Sequence, residues 1–485
     1  MGEIIAVVSK KNENVAKTAV TMLKMLKHKD VETFGLASPT TVIIRRSIGD
    51  LQDKGPSSPV LIGHVFSKIL TSDKPQPIKL DNGTFVFEGR IYSLNTEFSS
   101  MEFVTEKLNQ NLENAKALIN DFEGGFAFAV AESGTLMAGR DSLGLYPLYY
   151  GENADLAVLV SERKALWKIG IEEVHSFPPG HLAVVDKHGF KFKPAKTLVY
   201  ARSKQITMQA AAKKLSSLLQ KFVKQTVSGL KEVAVGFSGG LDSSIIVFLV
   251  KKFGVEAHLT SVSLKNQPEI EHVKKAAEAL NLPLHIHVYS EKAVEEVLPK
   301  VLWLIEDANP VKTSIGIPVF WTAEEATKMG FRVMFAGQGA DELFGGYKRY
   351  LKDYMRYGEE PVQKTIFKDI AEMYENNFER DSKICNFHNV ELRLPFATFQ
   401  LAKFAASLPL QLKVESPNDM LRKTVLRKVA EDIGLPRFIV KKPKRAIQYA
   451  TGVNKVIKKL AKKEGYSTRE YLQKTFQTVF KEMIT

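Results

Sequence analysis

The chain has 485 residues, of which 44% are hydrophobic and 25% charged, with 31 Gly, 20 Pro and one Cys. These proportions exclude a collagen-like, low-complexity or wholly disordered chain, and one cysteine excludes an internal disulfide and a cysteine-built zinc or iron–sulfur site. Lys and Arg outnumber Asp and Glu by 68 to 54, a formal charge of +14 that favours anionic partners, either nucleic acid or a phosphate-rich substrate.

In chain order, the first 190 residues are strand-rich. IIAVVS (4–9), TTVIIRR (40–46), PVLIGHVF (59–66), GTFVFEGRIY (83–92), GGFAFAVAE (124–132), LAVLVS (156–161) and HLAVVD (181–186) are short β-branched or alternating runs between turn formers. Helices are expected at 14–28 and at 100–119, where Met101, Val104, Leu108, Leu112 and Ala115 recur at helical spacing. This mixture predicts an α+β sandwich over residues 1–190. A basic, weakly patterned stretch at 191–206 reads as a linker. From 207 to 485 the rhythm changes. Helices are expected at 208–228, 242–254, 268–280, 291–305 and 318–329, and strands at 233–237, 257–264, 284–289 and 332–337. Such alternation predicts a parallel α/β sheet, followed from about 347 by a helical C-terminal part. The start lacks a signal-peptide cleavage pattern and no apolar run reaches membrane-spanning length, so a cytoplasmic protein with no membrane partner is expected.

VAVGFSGGLDSSIIVFLV (233–250) is the most informative stretch. An apolar strand runs through Ser238, Gly239, Gly240, Leu241, Asp242, Ser243 and Ser244 into an apolar helix. Glycines let main-chain N–H groups converge on one anion, and the helix presents its positive dipole end to it. Asp242 would repel that anion unless a cation lay between them, which points to Mg²⁺ beside phosphates. There is no Walker lysine.

SGGLDSS resembles the pyrophosphate loop of the N-type ATP pyrophosphatases, which transfer AMP to an acceptor oxygen. Further residues narrow the resemblance. Gly337-Gln338-Gly339-Ala340-Asp341-Glu342-Leu343-Phe344-Gly345-Gly346-Tyr347 is similar to the GEGADELFGGY signature of the asparagine synthetase family. Asn377, Arg380, Asp381 and Lys383, then Glu391, Arg393, Pro395 and Phe396, resemble a second signature, and Lys423, Leu426, Arg427, Leu435-Pro436 and Lys444 two more. Gly63-His64, Glu88 to Tyr92, Arg140 to Tyr150 and Ser161 to Leu166 resemble a class II glutamine amidotransferase (Ntn-type) domain. The implied architecture is an Ntn-type sandwich followed by an ATP pyrophosphatase domain.

The resemblance implies ATP and Mg²⁺ as cofactors, with Asp242 and Asp341 as metal ligands. It implies nucleotide contacts from Val235, Gly236, Phe237, Ser238, Gly239, Gly240, Leu241, Asp242, Ser243, Ser244, Val262, Ser263, Gly337 and Lys423. Lys444 would neutralise charge as pyrophosphate leaves. The partners implied are a small carboxylate, most simply aspartate, and ammonia; a homodimer stays open. His64 and His388 lack metal-ligand spacing and read as packing or hydrogen-bonding residues.

Departures from the pattern carry as much information. The family's glutaminase nucleophile is a cysteine exposed once Met1 is removed; here Gly2 stands in its place, and Cys385 is expected in the other domain, where it cannot substitute. The oxyanion-hole Asn is replaced by Glu88, the glutamine-binding Arg by Phe66 and the Asp of S-D-x-E by Ser100. The amidotransferase half is therefore expected to be folded but silent. In the second half the acid of G-E-G is Gln338, which cannot act as a base at neutral pH, so Glu342 is a candidate for that work. Thr398 replaces a further Asp. The expected function is an AMP- and pyrophosphate-forming ligase that amidates an acyl-adenylate with ammonia rather than with glutamine nitrogen. Two alternatives stay open. One is a β-lactam-synthetase-like ligase using a substrate amine. The other is a non-catalytic nucleotide- or RNA-binding regulator, although the lysine-rich tail carries no recognised RNA-binding module and nucleic acid is not the expected partner.

Overall fold

The computed structural model describes residues 2–28, 30–92, 99–111, 113–201 and 203–481; Met1 and Leu112 of the sequence reading lie outside them. The chain forms two compact units. One runs up to Thr197 and includes Cys385–Glu391 and the end of the chain from Gln477; the other comprises Leu198–Ile384 and Leu392–Phe476. The buried Cys385, expected from the sequence in the other domain, belongs instead to the unit that holds the chain's beginning, because the segment Cys385–Glu391 packs with that unit. Among the described residues, no helix is long and apolar enough to cross a membrane.

The first unit is built on two antiparallel sheets. Seven strands lie in the order His175–Ser176, Tyr149–Glu152, Leu156–Val160, Glu3–Ser9, Val60–Phe66, Thr33–Ala37 and Val42–Arg45. Six lie in the order Gly189–Pro194, His181–Asp186, Thr135–Arg140, Gly124–Glu132, Gly83–Ile91 and Ile78–Leu80. Alternation assigns each side chain its layer. Ile4, Ala6 and Val8 join Ala127, Ala129 and Ala131 in the core between the sheets. Ile5 and Val7 face the other way, onto Ala19, Met22 and Leu23 of helix Ala16–Met25. Phe126, Phe128 and Val130 face helices Ser100–Gln110 and Asn114–Asp121 through Val104, Leu108, Ala115 and Leu118. Small alanines inside and large aromatics outside let the two sheets approach closely. The single helix expected at 100–119 is two, and strand Gly189–Pro194 begins before the expected linker and runs four residues into it.

The second unit holds a parallel sheet in the order Leu284–Tyr289, Glu256–Leu264, Glu232–Gly236, Val333–Phe335, extended by a short strand ending at Arg393. The strands run outward from Glu232–Gly236 and then jump to its other side. That reversal makes a switch point, where the carboxyl ends of Glu232–Gly236 and Val333–Phe335 open a crevice. Helix Pro310–Lys328 starts eight residues before the expected 318, because Asn309 caps it and Pro310 occupies its first turn, where a missing N–H costs nothing. From Lys348 onward the unit is mostly helical. Thr398 is such a cap too: its hydroxyl accepts from Leu401 N (3.3 Å) at the start of helix Phe399–Ala406.

Candidate active site

The switch-point crevice is a cavity of about 1010 Å³. Its floor is the loop between strand Glu232–Gly236 and helix Leu241–Lys252. Gly239 turns the chain in the left-handed region (φ +63°), where a side chain would also press on His272 and Val273. The His272 ring donates from Nε2 to the Gly239 carbonyl (2.7 Å), and its partial burial holds the imidazole pKa below the usual value. Ser238 Oγ accepts from Gly240 N (3.3 Å) and lies 3.3 Å from Ser243 Oγ, so the loop is tied internally and its first helical turn stays open to the cavity. Of the residues expected at the nucleotide, Gly236, Phe237, Ser238, Gly240, Leu241, Asp242, Ser243, Val262, Ser263, Gly337 and Lys423 line the cavity. Val235 and Ser244 are fully buried beneath it, and Gly239 sits behind the lining.

Four charges meet at one end. Lys423 Nζ donates to both oxygens of Asp242 (2.8 and 2.7 Å) and lies 2.6 Å from Asp341 Oδ1. Lys444 Nζ lies 2.8 Å from Asp341 Oδ2 and 3.7 Å from Asp242 Oδ2. Burial pushes the Asp341 carboxyl upward, but the two ammonium groups outweigh it and hold the group well below the usual carboxylate range. By the converse argument, Asp341 and Asp242 raise Lys444 above the ordinary lysine value. A glycine makes the crowding feasible: a Cβ at Gly346 would lie 2.0 Å from Asp341 Oδ1 and 2.5 Å from Lys423 Cε. The two carboxylates are an all-oxygen donor pair that suits a hard cation such as Mg²⁺, and here the two ammonium groups stand against them.

Beside this quartet the wall carries Glu342, which is 4% exposed. Asn377 Nδ2 donates to its Oε1 (2.6 Å) and Tyr347 Oη donates to the same oxygen. Burial first, and the nearby Asp341 charge second, push the Glu342 carboxyl upward. Gln338 lines the same wall and donates from Nε2 to Asp381 Oδ2 (3.1 Å), while Arg380 grips both Asp381 oxygens (2.7 and 3.0 Å). Tyr347 and Asn377 were visible only as matches to a signature. Thr260, not singled out in the sequence, also lines the cavity. It is 1% exposed and its hydroxyl has no hydrogen-bond partner among the described residues. One more threonine in a β-branched strand gives no signal.

In the first unit the surroundings of Gly2 are closely packed. A Cβ at Gly2 would lie 2.3 Å from the Val65 carbonyl oxygen and 2.4 Å from His64 Cε1. His64 Nε2 lies 2.6 Å from Glu88 Oε1, and the two side chains are 0% and 9% exposed. Burial raises the Glu88 carboxyl, but His64 outweighs this and holds it below the ordinary value. Tyr146 Oη donates to the Gly2 carbonyl (2.5 Å), and Phe66 is buried beside His64. Ser100 Oγ accepts from Ile91 N (3.0 Å), and Glu102 closes a capping box with Ser99. Nearby, ligand-type atoms of Glu3, His28 and Glu162 cluster within 4.8 Å, yet Lys164 already pairs with Glu162 and supplies the positive charge a metal would bring.

Comparison with known proteins gives two family matches: Asparagine synthase at residues 214–361 and 353–481, and Glutamine amidotransferase domain at residues 65–168. The chain is 30% identical to "Putative asparagine synthetase (glutamine-hydrolyzing) 1" of Methanocaldococcus jannaschii, over 97% of each protein. It is 24% identical to asparagine synthetase (glutamine-hydrolyzing) of Triphysaria versicolor over 70% of this chain, spanning 60% of that relative's length. It is 25% identical to the Sandersonia aurantiaca protein of the same description, over 70% of this chain and 67% of that one.

Proposed function

The chain belongs to the asparagine synthase family, and from that premise we propose that it activates a carboxylate with ATP as an acyl-adenylate and amidates it with ammonia, not with glutamine nitrogen. Aspartate's side-chain carboxylate is the simplest substrate. The observation that carries the reading is the Asp242–Asp341–Lys423–Lys444 quartet at the carboxyl ends of a parallel sheet.

The chemistry follows from charge. A carboxylate oxygen attacks the α-phosphorus, the bond to the bridging oxygen breaks, and the electron pair leaves with pyrophosphate. The first turn of helix Leu241–Lys252 and Lys444 would stabilise that growing negative charge. Mg²⁺, held by Asp242 and Asp341, supplies further neutralisation of the phosphates when bound. In the second step ammonia nitrogen attacks the acyl carbon and the C–O electron pair leaves with AMP. The excess proton passes to Glu342, whose raised pKa and anchoring by Tyr347 and Asn377 suit a base.

Three features support a silent glutaminase: no room for a side chain at position 2, a buried His64–Glu88 pair, and Phe66 where a cation would bind glutamine. A carboxylate at 88 would repel an oxyanion. Aspartate-dependent exchange of labelled pyrophosphate into ATP tests the reading; exchange with another acid but none with aspartate would overturn the substrate assignment. Gln338 favours one second reading, in which a substrate amine is the nucleophile. A Gln338→Glu chain that gains ammonia-dependent asparagine formation would support it.

A further inference from the structure

The two lysines of the quartet are not equivalent. Lys423 is 2% exposed and makes three short contacts to both aspartates. It precedes helix Thr424–Asp432 with its backbone in the left-handed region (φ +55°), a conformation held by the surrounding fold rather than by its own preference. Lys444 is 31% exposed and contacts chiefly one aspartate. It lies on the irregular stretch between helices Arg437–Val440 and Ile447–Ala450, so its side chain can leave without unfolding any helix. With both lysines in place the quartet has no net formal charge. A divalent cation arriving alone would meet two ammonium groups and no surplus of negative charge. Nucleotide phosphates bring that surplus, and they also offer Lys444 another partner.

We infer that Lys423 is a fixed internal cation of the metal site and Lys444 an exchangeable one, so that the site admits a divalent cation only together with nucleotide phosphates. The inference deepens the adenylating reading and rests on it for the identity of the ligand. Lys423 is then a positioning residue: it holds Asp242 and Asp341 at one spacing and leaves room for a single metal ion. Lys444 guards that room until phosphates draw it away.

The test is Mn²⁺ binding to the full chain, followed by electron paramagnetic resonance without nucleotide and with α,β-methylene-ATP. The wild-type chain alone is expected to take up no Mn²⁺ at this site at micromolar concentrations. Lys444→Met should bind one Mn²⁺ per chain at least about tenfold more tightly, and adding Asp341→Asn to it should abolish that binding. Lys444→Arg, which keeps the charge, should still exclude the metal. Mn²⁺ uptake by the nucleotide-free wild type equal to that of Lys444→Met would overturn the inference, as would no gain in Lys444→Met with circular dichroism showing it folded. If Lys444→Met gains the metal but neither chain binds the nucleotide analogue, the lysine assignment stands and the adenylating reading fails.

Discussion

Both units bring ionisable side chains into close contact where the family's signatures fall, and the surroundings of the two groups differ. In the first unit His64 and Glu88 fill their pocket: the carbonyl of Val65 and the ring of His64 stand where a side chain at position 2 would go. In the second, Asp242, Asp341, Lys423 and Lys444 line an open cavity of about 1010 Å³. A closed pair has satisfied itself and has nothing left to bind. An open one trades its partners for a ligand's charges. On the proposed function, the space left beside the charges is what would separate a silent site from a working one.

The largest effect expected from breaking this contrast is at Asp341. Asp341→Asn strips one carboxylate from the quartet and leaves Lys423 and Lys444 short of countercharge. Pyrophosphate exchange should fall about 10³-fold, measured as the initial rate of label entering ATP. Glu342→Gln should separate the two steps. Exchange is kept, whereas ammonia-dependent amide formation falls about 10²-fold. Because the Glu342 carboxyl is raised and a base works unprotonated, the wild-type rate at fixed free ammonia should climb with pH through that raised value, and the variant should lack this limb.

Lys413 sharpens the contrast from another side, since it is buried with no ion-pair partner among the described residues, and burial alone pulls its pKa down to about 7. The unfolded chain binds this proton below about 10.5 and the folded chain only below about 7, so its contribution makes stability rise between those values and level off above them. Lys413→Met should therefore be more stable at neutral pH by about 1–3 kcal/mol, with the gain vanishing near pH 10.5; urea midpoints across that window give the answer. Gly2→Cys has the smallest expected effect. It should cost roughly 1 kcal/mol or more through overpacking, read as a lower thermal midpoint, and should restore no glutamine hydrolysis.

Periodicity and turn chemistry made most strands and helices legible, because hydrophobic alternation and Gly or Pro punctuation are local. The helix starting at Pro310 was placed too late since its first turns, VKTSIG, carry little apolar pattern. SGGLDSS carries the expectation of a phosphate loop because its order implies a mechanism, and the structure sets it between a strand end and a helix start on the cavity. Departures from the glutaminase pattern can be read position by position, but not the lack of space at Gly2, which depends on Val65 and His64 more than sixty residues away. Likewise, sequence brought Lys423 and Lys444 forward as phosphate ligands. It could not show that both ammonium groups stand on the carboxylates expected to hold the metal, because pairing across 181 residues is a property of the fold.

Close packing around Gly2 and an open cavity at the quartet make opposite demands on glutamine and ammonium, and glutamate release separates them. The full chain supplied with ATP, Mg²⁺, aspartate and either glutamine or ammonium should form amide and AMP with ammonium alone, and release no glutamate from glutamine. Glutamate release at the rate of amide formation would show that the first unit hydrolyses glutamine despite the packing around Gly2, and would overturn the silent-glutaminase reading.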